Sequence, residues 1–334
     1  MNLTECVKSA TFVSKLITKY TYVMRILDKS TCVKLLLGCA SIGCVLLSAA
    51  CSSGSGSSEP DTPNPPVVAK VPIRLNVGMK SNTRVTDTAF EQGDKVGLFV
   101  VNYSGSTAGT LQASGNHADN VAFTYDSQWK PATTIYWKDE TTPADFYLYY
   151  PYGSVSSVEA HPFSVKADQS TLANYKASEF LYGKSTKVAP TSEAVTIQAA
   201  HLMSCAVIKL AAGSGFTDEG LAAAEVSVKL NGCKLEASIN LKDGSLTATG
   251  EAATITPLKE ENQYRALVVP QQVKADNFIT VTVDGRDYNL KKDFTFVSKT
   301  RHTFTVTLSK TSNGINVNVS DWADDETDQG GTAE

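Results

Sequence analysis

Residues 71–79 read VPIRLNVGM, in which Val71, Ile73, Leu75, Val77 and Met79 alternate with Pro72, Arg74, Asn76 and Gly78. Successive side chains of an extended chain point to opposite faces, so this period of two marks a strand with one buried face. Further strands are predicted outward from it at 95–102, 121–125, 145–150, 194–199 and 203–210, then at 224–230, 235–241, 264–269, 278–283, 303–308 and 315–319. Turn residues punctuate them: Glu91-Gln92-Gly93-Asp94, Pro151-Tyr152-Gly153, Asn231-Gly232, Lys242-Asp243-Gly244 and Asp284-Gly285. Helical patterns are short and confined to 171–180 and 217–224. Many short strands at roughly 8–12-residue spacing predict an all-β chain of sandwiches and exclude a parallel α/β sheet.

The 265 residues from 70 to 334 exceed one sandwich of roughly 120 residues and suit two. Aromatics and irregular loops dominate before about residue 203, and regular strands after it. The expected division is therefore an N-terminal β-sandwich at 70–203, a C-terminal one at 204–322 and an acidic, unstructured tail at 323–334. Ahead of them, Leu35–Ala50 is a 16-residue run without charge, preceded by basic residues and closed by small ones. As a helix it would span about 24 Å, short of a bilayer core. Residues 1–50 are expected to be a secretory signal, with Met24 an alternative start. Residues 51–69 follow as a polar Ser/Gly/Pro tether. The closing Leu47-Ser48-Ala49-Ala50-Cys51 resembles a bacterial lipoprotein signal, which implies a lipid on Cys51 and attachment to the outer membrane.

Hydrophobic residues make up 42% of the 334 and charged ones 19%, enough for packed cores and too little charge for a disordered chain. Residues 1–50 hold six basic and two acidic groups. Taken from the totals of 30 and 34, they leave 24 basic and 32 acidic groups, a net of -8, in 51–334. An acidic body disfavours nucleic acid, whose phosphates need a basic face. Four scattered histidines, and no nucleophile elbow, phosphate loop, zinc-helix or dinucleotide motif, speak against an enzyme, a metal site or a cofactor.

After the leader and Cys51, only Cys205 and Cys233 remain. A disulfide between them and two buried free thiols are both compatible with their spacing. Two aromatic clusters stand out: Trp129 with Tyr136 and Trp137, and Tyr147, Tyr149, Tyr150 and Tyr152 around Pro151. Some of these rings fill cores. Trp129, Trp137 and Tyr150 are candidates for a sugar- or protein-binding surface.

Residues 83–100, TRVTDTAFEQGDKVGLFV, resemble the opening of the Bacteroidetes fimbrillin family, with Thr83, Arg84, Phe90, Glu91, Gly93 and Asp94 leading into the strand at Val96–Phe99. Ile135-Tyr136-Trp137, the Phe146–Tyr152 run, His201-x-Met203-Ser204, Val269-Pro270-Gln271 and Asp321-Trp322 agree in order. The resemblance implies two transthyretin-like β-sandwiches in a fimbrial subunit exported to the cell surface as a lipoprotein. It further implies assembly with other subunits by donor-strand exchange and a role in adhesion to a host or bacterial surface. A trypsin-like protease would cut after Arg84, with Arg74 a weaker site, and a strand bearing Ile315, Val317 and Val319 would fill the groove so bared. The competing expectation is a surface lipoprotein that binds glycans through the aromatics.

Overall fold

The computed structural model describes residues 70–79, 89–310 and 331–333. The order is β1 (Arg74–Met79), β2 (Lys95–Asn102), β3 (Ala118–Asp126), β4 (Gln128–Pro131), β5 (Ala144–Tyr150), β6 (His161–Ser164), helix α1 (Leu172–Lys176), β7 (Leu181–Val188) and β8 (Ala194–His201). It continues with β9 (Ser204–Ala212), helix α2 (Asp218–Ala223), β10 (Val226–Ile239), β11 (Leu246–Ile255), β12 (Leu258–Glu260), β13 (Gln263–Val268), β14 (Gln272–Val283), β15 (Arg286–Thr295), β16 (Arg301–Leu308) and β17 (Gly331–Ala333). The chain is all-β, as predicted.

The first seven-stranded sheet has the order β1-β8-β7-β5-β2-β3-β4. Every one of its strands contributes to a single apolar cluster that includes Ile73, Leu75, Val96, Leu98, Phe123, Trp129, Phe146, Leu148, Leu181 and Ile197. The two edges, β1 and β4, come side by side. The N-terminal core is thus enclosed by one sheet that turns back on itself. The C-terminal half is a true pair of sheets, β11-β10-β14-β15 and β12-β13-β9-β16-β17. Inward residues of both, such as Leu230, Phe278 and Ile279 on one and Ile208, Phe304 and Val306 on the other, share a second cluster.

Strands β2 and β5 are buried on both faces. In β2, Val96, Leu98 and Val100 face the first cluster while Phe99 and Val101 face the second. In β5, Phe146 and Leu148 face the first and Tyr147 and Tyr149 the second. This is why both read as continuous apolar runs and not as alternations. The two halves are joined by shared core residues.

Three local expectations are corrected. Asn231-Gly232 forms no hairpin turn. It is a bulge inside the 14-residue strand β10, with Gly232 at φ +74°. Tertiary bonds override the turn signal: Asn231 donates to Asn277 O (2.6 Å) and Thr280 Oγ1 (3.0 Å) and accepts from Thr254 Oγ1 (2.8 Å). β6, ahead of the expected division at 203/204, pairs through residues 161–164 with Glu236–Ile239 of β10. Buried Gln169 stitches the same connector to β13, donating to Leu267 O (2.8 Å) and accepting from Leu267 N (2.8 Å). In the acidic tail, Gly331–Ala333 form a strand that runs parallel to Val306–Leu308.

Cys205 and Cys233 are free thiols, so the disulfide alternative is not realised. They sit on β9 and β10, in opposite sheets, and each sulfur has its own polar neighbour: Tyr175 OH lies 3.8 Å from Cys205 and Asn231 O 3.8 Å from Cys233. Burial raises both thiols, that of Cys233 to about 12.

Two outcomes are expected. Alkylation of residues 52–334 without reductant, read by mass, will add two labels in denaturant and far fewer in the native state. A Cβ at Gly97 would lie 2.2 Å from Tyr149 Cε1, and the Tyr149 hydroxyl is pinned 2.6 Å from Gly153 O. Gly97→Ala will therefore destabilise the protein by about 1–3 kcal/mol through overpacking, measured by urea unfolding.

Candidate functional site

The feature that separates this sheet from a closed barrel is its edge strand β1. It pairs parallel with β8 from Arg74↔Ala194 to Met79↔Ala199. The period of two that runs through it from the preceding segment puts Ile73, just before it, and Leu75 in the core, with Arg74 and Asn76 exposed. On its other side, among the described residues, backbone bonds hold only the segment just before it: Ile73 N donates to Ile135 O (2.8 Å) and Trp137 N to Val71 O (3.0 Å). Beyond that, β1 faces β4 across a cleft of about 580 Å³ lined by Leu75, Val77, Met79, Phe90, Tyr125 and Trp129. Burying Ile73 and Leu75 stabilises the seating of β1 by about 1.5–3 kcal/mol each.

The Phe-Glu-Gln-Gly-Asp stretch at 90–94 closes the end of this core. Phe90 packs edge-on against Trp129 at 4.9 Å and against Tyr150 at 6.1 Å. Tyr125 joins the cluster, 5.2 Å from Trp129. The turn that follows is locked by its own acid: Asp94 Oδ2 accepts from Glu91 N (2.7 Å), and Gly93 takes φ +96°, which favours glycine. Glu91 pairs with Lys176 of α1, and Tyr150 OH donates to Asp94 Oδ1 (3.3 Å). Burial, together with the Asp94 carboxylate, pushes the Tyr150 hydroxyl up to about 12. Glu91 and Asp94 therefore shape this turn. His201 is likewise a structural group, its Nδ1 2.8 Å from Glu179 Oε2.

The proposed aromatic surface is corrected. Trp129 is 9% exposed and Trp137 5%, and Tyr150 is half-buried. Their rings belong to the N-terminal core or pack against it. Trp137 further donates its indole N–H to Thr191 O (3.0 Å). The rings that do reach solvent are Tyr136 and Tyr152. Alternation explains Tyr136: Ile135 and Trp137 turn inward, so the residue between them turns out. That signal was present in the sequence but needed the direction of the core to be used. Cys51, Arg84 and the segment of Ile315, Val317 and Val319, expected to be a donor strand, lie outside the described residues. Among the described residues, no group of three or more His, Cys, Asp or Glu is arranged to hold a metal ion.

Comparison with known proteins places this architecture. The model of the fimbrillin-like family matches residues 83–322. A curated relative named as fimbrium subunit Fim1C, from Bacteroides uniformis, is similar at 25% identity over 298 residues, covering 84% of this chain and 93% of that protein. Two solved structures described as cell adhesion proteins share the fold. One, from Bacteroides uniformis, has a TM-score of 0.55 at 21% identity and covers 72% of this chain and 95% of its own. The other, from Bacteroides ovatus, has a TM-score of 0.58 at 18% identity, with 72% and 93% covered. With the family pattern running from Thr83 to Trp322, well over half of its length, this chain belongs to the fimbrillin-like family.

Proposed function

We propose that this protein is a structural, non-enzymatic subunit of a surface fimbrium, exported as a lipoprotein acylated on Cys51 and carried to the outer membrane. It joins other subunits by exchange of β1. The observation that carries this reading is the seating of β1: an edge strand, bonded along its length to β8 alone among the described residues, with Ile73 and Leu75 plugged into the core. Arg84 follows it in sequence and Phe90 then re-anchors the chain. A cut after Arg84 by a trypsin-like protease frees the segment bearing β1 while Phe90 stays in its aromatic seat. Loss of β1 leaves an apolar groove and the bare edge of β8. That state is costly enough to favour capture of a strand from the next subunit. The segment with Ile315, Val317 and Val319 has the alternation such a groove accepts, and head-to-tail repetition then builds a filament. Adhesion follows from display of such filaments at the cell surface.

The decisive experiment treats residues 52–334 with a limiting dose of trypsin-like protease, followed by intact mass and gel mobility without boiling. A single cut after Arg84, with a ladder of SDS-resistant oligomers, is expected. A protein that is not cut there, or that is cut and stays monomeric, overturns shaft-type assembly. Replacing Ile315, Val317 and Val319 together by Asp will leave the rate of cutting unchanged and abolish the ladder. An unaltered ladder in that variant would assign the donor strand elsewhere.

A further inference from the structure

The strand-like segment 135–137 that clasps the approach to β1 carries a second feature, on its outer side. Tyr136 is 42% exposed and stands over a cleft of about 430 Å³ lined by Lys70, His117, Thr133, Thr134 and Lys138, with a floor that includes Val121. Among the described residues that line the cleft, none is Asp or Glu, although residues 51–334 carry a net charge of -8. His117 is fixed at the rim by donating Nε2–H to Tyr136 O at 2.7 Å. Of the acids next to the cleft in sequence, Asp139 is engaged in its own turn, accepting from Thr141 N (2.9 Å), Thr142 N (2.6 Å) and Thr142 Oγ1 (2.6 Å), Asp119 accepts from Gly115 N (2.8 Å) and Asn116 N (2.9 Å), and Glu140 is exposed.

We propose that this cleft is a binding site for an anionic saccharide. The exposed face of Tyr136 stacks on the C–H face of a sugar ring, as amphipathic aromatics do. The ammonium groups of Lys70 and Lys138 pair with a carboxylate or sulfate on the sugar. Thr133 and Thr134 offer hydroxyls to its ring substituents. A volume of this order suits a small ligand, and a concave site walled by one sign of charge concentrates ligands of the other. Lys70 precedes Arg84, so the cleft is complete only in the uncleaved chain.

The test uses the full, uncleaved chain purified in detergent, and isothermal titration calorimetry with four probes: tetragalacturonic acid, a heparin-derived tetrasaccharide, neutral cellotetraose and inorganic sulfate. Saturable binding is expected for at least one of the two anionic oligosaccharides, weakening as salt rises. Tyr136→Ala is expected to weaken it tenfold or more, and Tyr136→Phe to retain it. Replacing Lys70 and Lys138 together by Gln is expected to weaken it and flatten the salt dependence. Failure of both acidic oligosaccharides, equal binding of cellotetraose, binding of sulfate as strong as that of the oligosaccharides, or indifference to both the Ala and the Gln changes would each overturn the proposal. Because the uncleaved chain is used, that failure would leave strand exchange untouched.

Discussion

Strands β2 and β5 lie at the middle of the seven-stranded sheet and have no solvent face. Val96, Leu98, Phe146 and Leu148 pack into the N-terminal core. Phe99, Tyr147 and Tyr149, pointing the other way, pack into the core that fills the C-terminal sandwich. Two apolar cores meet across one backbone layer. The connector that carries β6, α1 and Gln169 is tied into the second of them through β10 and β13. The centre of the sheet is clamped between two cores, and its edges are not.

That constraint gives β1 its character. It is the strand farthest along the sheet from β2 and β3, and β8 is the one strand to which it is hydrogen-bonded among the described residues. Its inward residues still belong to the core, so its place cannot stand empty in water without exposing an apolar groove. β1 is thus peripheral in bonding yet integral in burial. Nearby, the contacts of the 90–94 turn run to residues outside β1. Phe90 is packed by Trp129, Tyr125 and Tyr150, Asp94 ties the turn to itself, and Glu91 reaches α1.

The same sheet geometry separates rings that look alike in sequence. Trp129 and Trp137 are large, apolar and close to one another in the chain, and both are core. Tyr136, between Ile135 and Trp137, is turned outward by the pleat and gathers lysines around it. Exposure follows from parity within the segment more than from residue type.

Alternation at 71–79, the apolar runs at 95–102 and 145–150 and the dense turn signals determined an all-β chain without tertiary information, because side-chain period is a local property of extended backbone. The order of motifs from Thr83 to Trp322 likewise determined the family. Which turn signals would be obeyed was not local: Asn231-Gly232 lies within β10 because Asn277, Thr280 and Thr254 offer its side chain better partners than a hairpin would. Nor was the fate of the thiols or of the aromatic rings, since these depend on which sheet each strand joins and which way its core lies. The pairing of β6 with β10 and of Gly331–Ala333 with β16 was decided in the same way. Short, weakly patterned segments become strands where an existing edge supplies hydrogen-bond partners, and that edge exists only once the chain has folded.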